Sequence, residues 1–334
     1  MPRISRIIGD IMLLCNHLAE QILFNPLYDR ADELNIMSAY ATPNMLSWYL
    51  KNIHNRVFEP IKINLIVGMV PFDHLSVSIH EGFKGIVSSD LPAEVSSVKC
   101  SYVYDQPAEH GNLYIWSRHD ELLSAFTGSA NFVQNSFIGS GRREIMKPCA
   151  PAEAMDYYNS VISRTVYCNH AEVEEYVIIK SAHPVLDTEC NPIGPMDPEK
   201  TVELSLITKT GEPGTKSGLN WGQRSGREPN EAYIPLPAPI ARSGFFPLEK
   251  QHFTALTDDR IRLTLRVEQQ GDKAITTPER NSDLGEYFRR RLELANGAYI
   301  TRADLDRYGR LDVAFTKLDD ETFYMDFSPK FPRT

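Results

Sequence analysis

The chain has no Cys-x-x-Cys pair, and its five cysteines (Cys15, Cys100, Cys149, Cys168, Cys190) are an odd number at wide spacing. That pattern argues against a disulfide framework or a zinc site and makes a reducing cytoplasm the default setting. No uninterrupted apolar run of about 18 residues occurs, so no membrane span is expected. The apolar patch IIGDIMLLC near the start is broken by Asp10 and lacks a small-residue cleavage site, so it predicts an amphipathic helix rather than a signal peptide. Positive charge is scarce as well: 35 Lys and Arg against 44 Asp and Glu leave a net charge of -9. A protein that coats nucleic acid by bulk charge is thereby disfavoured, and any DNA contact must come from local patches. No Walker-type loop is present.

What the chain does have is length, 334 residues at 42% hydrophobic content, which predicts two domains with their own cores. The first half alternates helix and strand signals. NIMSAYA (35–41) is a short apolar run, and Thr42 with Pro43 is placed to cap and open a helix over TPNMLSWYLKNI. IKINLIVGM reads as a buried strand, FDHLSVSIHEGFKGI has helical spacing, and VKCSYVYD, NLYIWSR and LLSAFTG read as three more strands, the last two joined by a polar HDE turn. PAEAMDYYNSVIS has helix-forming composition. The order implies a layered α/β sheet over residues 1–180.

The Pro-rich HPVLDTECNPIGPMDPEK predicts a linker over 181–200. Beyond it, TVELSLIT, EAYIPLP, RIRLTLRVEQQ, AYITR, LDVAFTKL and TFYMDFS read as short strands, interrupted by one helix-like piece, DLGEYFRRRLEL. Many short strands with one helix predict a mainly-β small barrel or pseudobarrel over 201–334.

Chemistry concentrates between 110 and 144. HGNLYIW leads from His110 into an apolar strand, TGSAN ends at Asn131, and Glu144 follows in GRREIM. Cleaving a phosphodiester without metal needs a nucleophile, donors for the phosphate oxygens and an acid for the leaving oxygen. His110 suits nucleophile or acid, Ser129 and Asn131 can donate to phosphate, and Glu144 can accept from the second imidazole nitrogen and fix the tautomer. Alone, a histidine at a strand start or a Gly-Ser-x-Asn turn is ordinarily structural. Together and in this order, they suit phosphoryl transfer through a covalent phosphohistidine.

This set resembles the phospholipase D superfamily motif, which runs His-x-Lys, Gly-Ser-x-Asn and Glu. Within it the chain is most similar to the NgoFVII-type restriction endonucleases, through SAYATPNML, LIVGM, SGLNWGQRSGREPNEAYIPLP, LGEYFRRRLEL and YGRLDVAF. The resemblance implies an α/β layered phospholipase D-like N-terminal domain and a C-terminal pseudobarrel like that of the plant B-three transcription factors. It further implies a bacterial restriction system, metal-independent cleavage of double-stranded DNA, no cofactor, and in some relatives a separate ATP-driven subunit. Carried over by position are His110 as catalytic histidine, Ser129 and Asn131 as phosphate ligands, and Glu144 as the residue orienting His110. The lysine is not carried over, because Asn112 stands in its place and no other His-x-Lys occurs. Arg118, Arg142 and Arg143 are the nearby alternative cations. Asn112 supplies no charge, so the site is expected to be slow, whether the asparagine is an introduced change or a natural degeneration. Because superfamily chemistry uses two such halves and this chain supplies one, a two-fold homodimer pairing His110 with its mate is expected.

In the second half, SGLNWGQRSGREPNEAYI is dense in residues that pair with bases. Arg224 and Arg227 suit guanine, Asn220, Gln223 and Asn230 suit adenine, Glu231 suits cytosine, and Trp221 lies among them. TTPERNSD offers a second arm with Thr277, Arg280, Asn281 and Asp283. The B-three resemblance implies two such arms gripping the major groove. Polar, glycine-rich loops are otherwise ordinary connectors, and the run Arg289, Arg290, Arg291 reads as a solvated helix face. Two rivals stand beside the nuclease: a DNA-binding dimer with a retired catalytic core, and a lipid or small-molecule phosphodiesterase.

Overall fold

The computed structural model describes residues 13–139, 143–181, 183, 185–187 and 191–330. Most of the IIGDIMLLC patch, Arg142 and Cys190 lie outside these residues. The chain divides into two compact units and passes from one to the other between Ile179 and Lys180, with the short segment Ser76–Ile79 grouped with the second.

The first unit is built on seven strands: β1 Glu33–Ser38, β2 Ile61–Val67, β3 Val95–Val103, β4 Leu113–Arg118, β5 Glu121–Gly128, β6 Met146–Cys149 and β7 Thr165–Tyr167. They lie in the order β6-β5-β4-β1-β2-β3-β7, with β1, β2 and β3 parallel and the rest joining antiparallel. Helix α1, Pro43–Asn52, crosses from β1 to β2, and its start is as expected: the Thr42 side chain accepts the Met45 N–H at 3.3 Å and Pro43 needs no donor. Strand β4 is buried on both faces. Leu113 and Ile115 pack with Met37, Ile66 and Val103 against Ala154, Tyr158 and Val161 of α2, Pro151–Ile162. Tyr114 and Trp116 point to the opposite face, where the Trp116 indole donates to the Ile22 carbonyl at 2.8 Å and the Tyr114 hydroxyl to Ala130 at 2.9 Å.

The second unit carries another seven-stranded sheet: β8 Thr201–Ser205, β9 Ile234–Pro235, β10 His252–Thr257, β11 Arg262–Glu268, β12 Ala274–Thr276, β13 Asp312–Lys317 and β14 Thr322–Asp326. The order is β8-β13-β14-β10-β11-β12-β9, and the two edge strands β8 and β9 come close to one another, so the sheet nearly closes into a barrel. Its interior is filled by Phe246, Phe253, Phe315 and Phe323, whose rings stack or meet edge to face at 5.0–6.5 Å. Helix α3, Ser282–Arg291, adds Leu284 and Phe288 to this core.

Two sequence expectations change here. AYITR is not a strand: Thr301 caps a second helix, α4, Arg302–Tyr308, through a reciprocal box with Asp304, and Gly309 ends it at φ 90°. The arginine run is not a solvated face either. Arg289 is fully buried, and Arg291 is held by both oxygens of Asp258 at 2.9 and 2.7 Å; only Arg290 lies on the outside, paired with Asp259.

Candidate active site and DNA interface

The first unit gathers its reactive residues beyond the C-terminal ends of β1 and β2, the edge where open α/β sheets bind ligands. Gly68 follows β2, and a Cβ there would come within 2.1 Å of the Glu109 carbonyl. This close approach, with the Glu109 N–H donating to the Gly68 carbonyl at 3.1 Å, seats the residue before His110 on the sheet edge. Glu109 is buried and paired with Arg164, and its other oxygen accepts the Tyr157 hydroxyl at 2.7 Å. Arg164 also donates to the Pro107 carbonyl at 2.7 Å, so the segment leading into His110 is clamped from α2 and the turn behind it. His110 itself is exposed, and among the described residues its imidazole makes no hydrogen bond; the Tyr40 ring stands edge-on at 6.4 Å.

Asn112 answers the question raised by the missing lysine. It is 4% exposed and spends all its polar atoms on the framework. Its Oδ1 accepts the Ala39 N–H at 3.1 Å and lies 2.9 Å from the Ser38 hydroxyl, while its Nδ2 donates to the carbonyls of Gly128 and Ser129 at 3.2 Å each. It therefore ties the end of β1 to the Gly-Ser-x-Asn turn and offers no proton to a ligand. The Ser38 hydroxyl in turn accepts the Phe132 N–H at 2.8 Å, from the other end of the same turn.

Asn131 is fixed by its Oδ1, which accepts the Tyr40 N–H at 3.2 Å, and its amide N–H2 is left to donate. Glu144 departs from expectation. Its two oxygens accept the hydroxyls of Ser129 and of Ser136, the latter at 2.9 Å, and among the described residues it makes no hydrogen bond to His110. Ser129 is correspondingly occupied, donating to Glu144 while accepting the Ile145 N–H at 3.0 Å. Arg118 ends β4 at the edge of the sheet away from His110, so it is no substitute for the lysine, whereas Arg143 is exposed next to Glu144. Sequence reasoning missed Tyr40. Its hydroxyl donates to Asp73 at 2.6 Å, and that bond, aided by burial and the carboxylate's charge, pushes its pKa up to about 12. The nearest metal-like grouping, Asp32, Glu59 and His119, lies exposed at the start of β1, with both imidazole nitrogens turned to carboxylates at 2.9 and 3.9 Å.

The second unit brings most of the expected DNA-contact residues into one neighbourhood but spends several of them on structure. Asn220 is fully buried, accepting the Ile300 N–H at 2.9 Å and donating back to its carbonyl at 2.8 Å. Asn230 is buried and accepts the Gly297 N–H at 2.6 Å, while Gln223 donates to the Gly297 carbonyl at 3.0 Å. Thr277 is buried with its hydroxyl on the Arg280 carbonyl. None of Asn220, Asn230 or Thr277 can read a base in this arrangement. Their amides and hydroxyl replace the strand ladder that this irregular segment lacks. Arg227 lies 3.7 Å over the Trp221 ring and pairs with Glu231. Arg280 is exposed but shared between Asp283 at 3.3 Å and Glu286 at 3.1 Å. The Asn281 carbonyl accepts the Ala232 N–H, joining the two arms at their roots. Arg224 keeps its guanidinium on the outside, with only Nε engaged, on the Lys216 carbonyl at 2.7 Å.

A sheet of this kind, with the histidine, the Gly-Ser-x-Asn turn and the glutamate at one edge, defines a phospholipase D-like nuclease unit, here joined in the same chain to a B-three-like barrel. The chain belongs to the NgoFVII restriction endonuclease family: residues 16–175 match its N-terminal PLD domain and residues 196–319 its C-terminal B3-like DNA-binding domain. No curated protein matches it by sequence. Among solved structures it is similar to NucT from Helicobacter pylori, at 17% identity and TM-score 0.32, covering 47% of this chain and 97% of that one. It is similar also to the phospholipase D family member Nuc from Salmonella typhimurium, at 11% identity and TM-score 0.27, covering 47% and 96%. A polyphosphate kinase from Porphyromonas gingivalis matches at 13% identity and TM-score 0.29, covering 48% of this chain and 25% of that one.

Proposed function

We propose that the chain is a sequence-specific restriction endonuclease that hydrolyses DNA without metal through a phosphohistidine at His110, in a site completed by a second copy. The observation that carries this reading is the exposed imidazole of His110 on a clamped backbone, with Tyr40 standing edge-on to it and donating its N–H to Asn131. In the first step an imidazole nitrogen bonds to phosphorus and the bond to the leaving oxygen breaks. That oxygen takes a proton from His110 of the partner subunit. Water then attacks the phosphohistidine, passing its proton to the now neutral imidazole of His110 of the partner subunit, as the P–N bond breaks and the phosphate end is released. Asn131 donates to the phosphate oxygens, and Ser129 does so once its hydroxyl turns from Glu144. Residues 1–180 form the nuclease and dimerisation domain, 181–200 the linker and 201–334 the reader. An ATP-driven step, if the system uses one, belongs to a separate subunit.

Asn112 favours a second reading, a DNA-binding dimer whose catalytic core serves only as scaffold, because its buried bonds leave the site without a cation at that position. Plasmid cleavage in EDTA separates the two. The nuclease reading expects slow but discrete fragmentation by the chain as written, faster fragmentation by Asn112→Lys, and none by His110→Ala. If neither the parent nor Asn112→Lys cuts while both still bind one duplex sequence, the scaffold reading holds instead.

A further inference from the structure

Two residues with adenine-reading chemistry in the second unit, Asn220 and Asn230, are consumed in holding one short segment, Gly297–Ile300. That segment is bracketed at every residue but one. Gly297 is bound through both its N–H and its carbonyl, the Ala298 carbonyl accepts Nε of buried Arg289 at 2.8 Å, and Ile300 is fully buried and bound on both sides by Asn220. Arg289 extends the bracket, donating also to the Leu219 and Pro229 carbonyls, so the 217–231 loop and the 295–300 turn are pinned to each other through one guanidinium. The turn fixed in this way carries two exposed side chains. It presents Tyr299, 43% exposed between two anchored neighbours, and Asn296, exposed immediately before Gly297. Among the described residues the Asn296 side chain makes no hydrogen bond, so both its amide donor and its acceptor are unspent. Neither residue belongs to the two arms that the sequence picked out.

We infer that Asn296 and Tyr299, on a turn locked to the 217–231 loop by Asn220, Asn230 and Arg289, contact base edges of the bound DNA, with Asn296 reading adenine. The inference rests on the DNA-reading role proposed for this domain. An asparagine amide matches the acceptor and donor of adenine in the major groove, and an aromatic ring beside it covers the apolar face of a neighbouring thymine methyl. Rigid placement on bracketed backbone keeps the ordering cost of such a contact low.

The test uses the full chain in EDTA and a pool of short randomised duplexes. The parent chain first selects its preferred duplex, and the variants are then titrated against it. Asn296→Ala is expected to lose about 5- to 100-fold in affinity for that duplex, with re-selection degenerate at one base pair. The salt dependence should stay unchanged, because no phosphate contact is lost. Asn296→Asp is expected to move the preference at that pair from adenine toward cytosine, since a carboxylate accepts from the cytosine amino group. Tyr299→Ala is expected to lose about 5-fold or more. Both residues replaced are on the outside, so an unchanged unfolding midpoint accompanies each result. Variants that keep the parent's affinity and selected sequence overturn the inference while leaving the DNA-reading role intact. A parent that selects no sequence overturns that role and this inference with it.

Discussion

Asn112 shows how a residue can leave a catalytic motif without leaving a gap. Removing it strands the buried Ala39 N–H and takes a donor from the part-buried carbonyls of Gly128 and Ser129. A buried polar group left unpaired costs about 1–3 kcal/mol, so Asn112→Ala should lower stability by at least about 1 kcal/mol. Asn112→Asp should be worse than alanine, because a carboxylate would face those two carbonyls with no proton to share. Urea midpoints that place the aspartate variant level with the parent would remove this account. Asn112→Lys restores donors toward the carbonyls and a cation near the phosphate but leaves the Ala39 N–H without its acceptor. It is expected to unfold at lower urea than the parent even where it cleaves faster. One oxyanion donor is worth about 10²–10³ in rate, so a gain of that order is what the cation should bring. The same residue marks what the sequence could tell. The order His, Asn, Ser, Asn, Glu was enough to pick out the candidate site, because strand and turn signals flank it. That Asn112 points into the framework depends on Ser38 and Ala39, more than seventy positions earlier, and no local pattern encodes that bond.

At the level of elements, reading succeeded where local chemistry and tertiary need agree. Thr42 and Pro43 start α1 for reasons visible in three letters, and the alternation of Leu113, Tyr114, Ile115 and Trp116 matches a strand buried on both faces. It failed at α4, because Tyr299, Ile300 and Thr301 are β-prone side chains; the Thr301-x-x-Asp304 cap in the sequence was the available signal. It failed also at α3, where arginine looks solvated until carbonyls from the 217–231 loop and the 295–300 turn converge on it. Arg289 is fully buried with Nε and both terminal nitrogens bonded, and burial lowers its pKa without neutralising it at ordinary pH. Arg289→Met is therefore expected to destabilise the second unit by about 3 kcal/mol or more, since the carbonyls of Leu219, Pro229 and Ala298 lose their donor together. It should release the 295–300 turn, read as accelerated hydrogen exchange at Gly297 and Ile300. Unchanged exchange there would show that the bracket holds without it.

Across the second unit acid acts mainly in one direction, with Asp283, whose carboxyl pKa is raised by burial, as the opposing group. Burial alone would raise the carboxyl pKa of Asp326, Asp319, Asp304 and Asp259, but bonds from Arg310, His183, Thr301 and Thr257 with Arg291 respectively hold each below its ordinary range. A folded pKa below the unfolded one contributes stability that is complete above about pH 4 and is lost as pH falls through the folded value. Urea midpoints of this unit's transition should be level from pH 7 to 5 and fall steeply below 4, less steeply in Asp326→Asn; a flat profile would contradict the assignment.

For the whole molecule the decisive question is whether one active site needs two chains. Each chain carries one histidine of the His-x-Asn type, at 110, with its imidazole exposed and making no hydrogen bond among the described residues. If one imidazole attacks phosphorus and its mate protonates the leaving oxygen, a dimer with a single His110→Ala subunit has either no nucleophile or no acid, and is dead on both counts. Equal mixing of parent and His110→Ala chains, allowed to exchange subunits, should then leave about a quarter of the parent's cleavage rate, the share of dimers with two intact copies. If each chain acts alone, about half should survive. The same mixture read by DNA binding should show no loss, because His110 lies in the first unit and the reading residues in the second. Retained binding with quadratic loss of cleavage is the signature of a composite site, and linear loss would return the chemistry to the single chain.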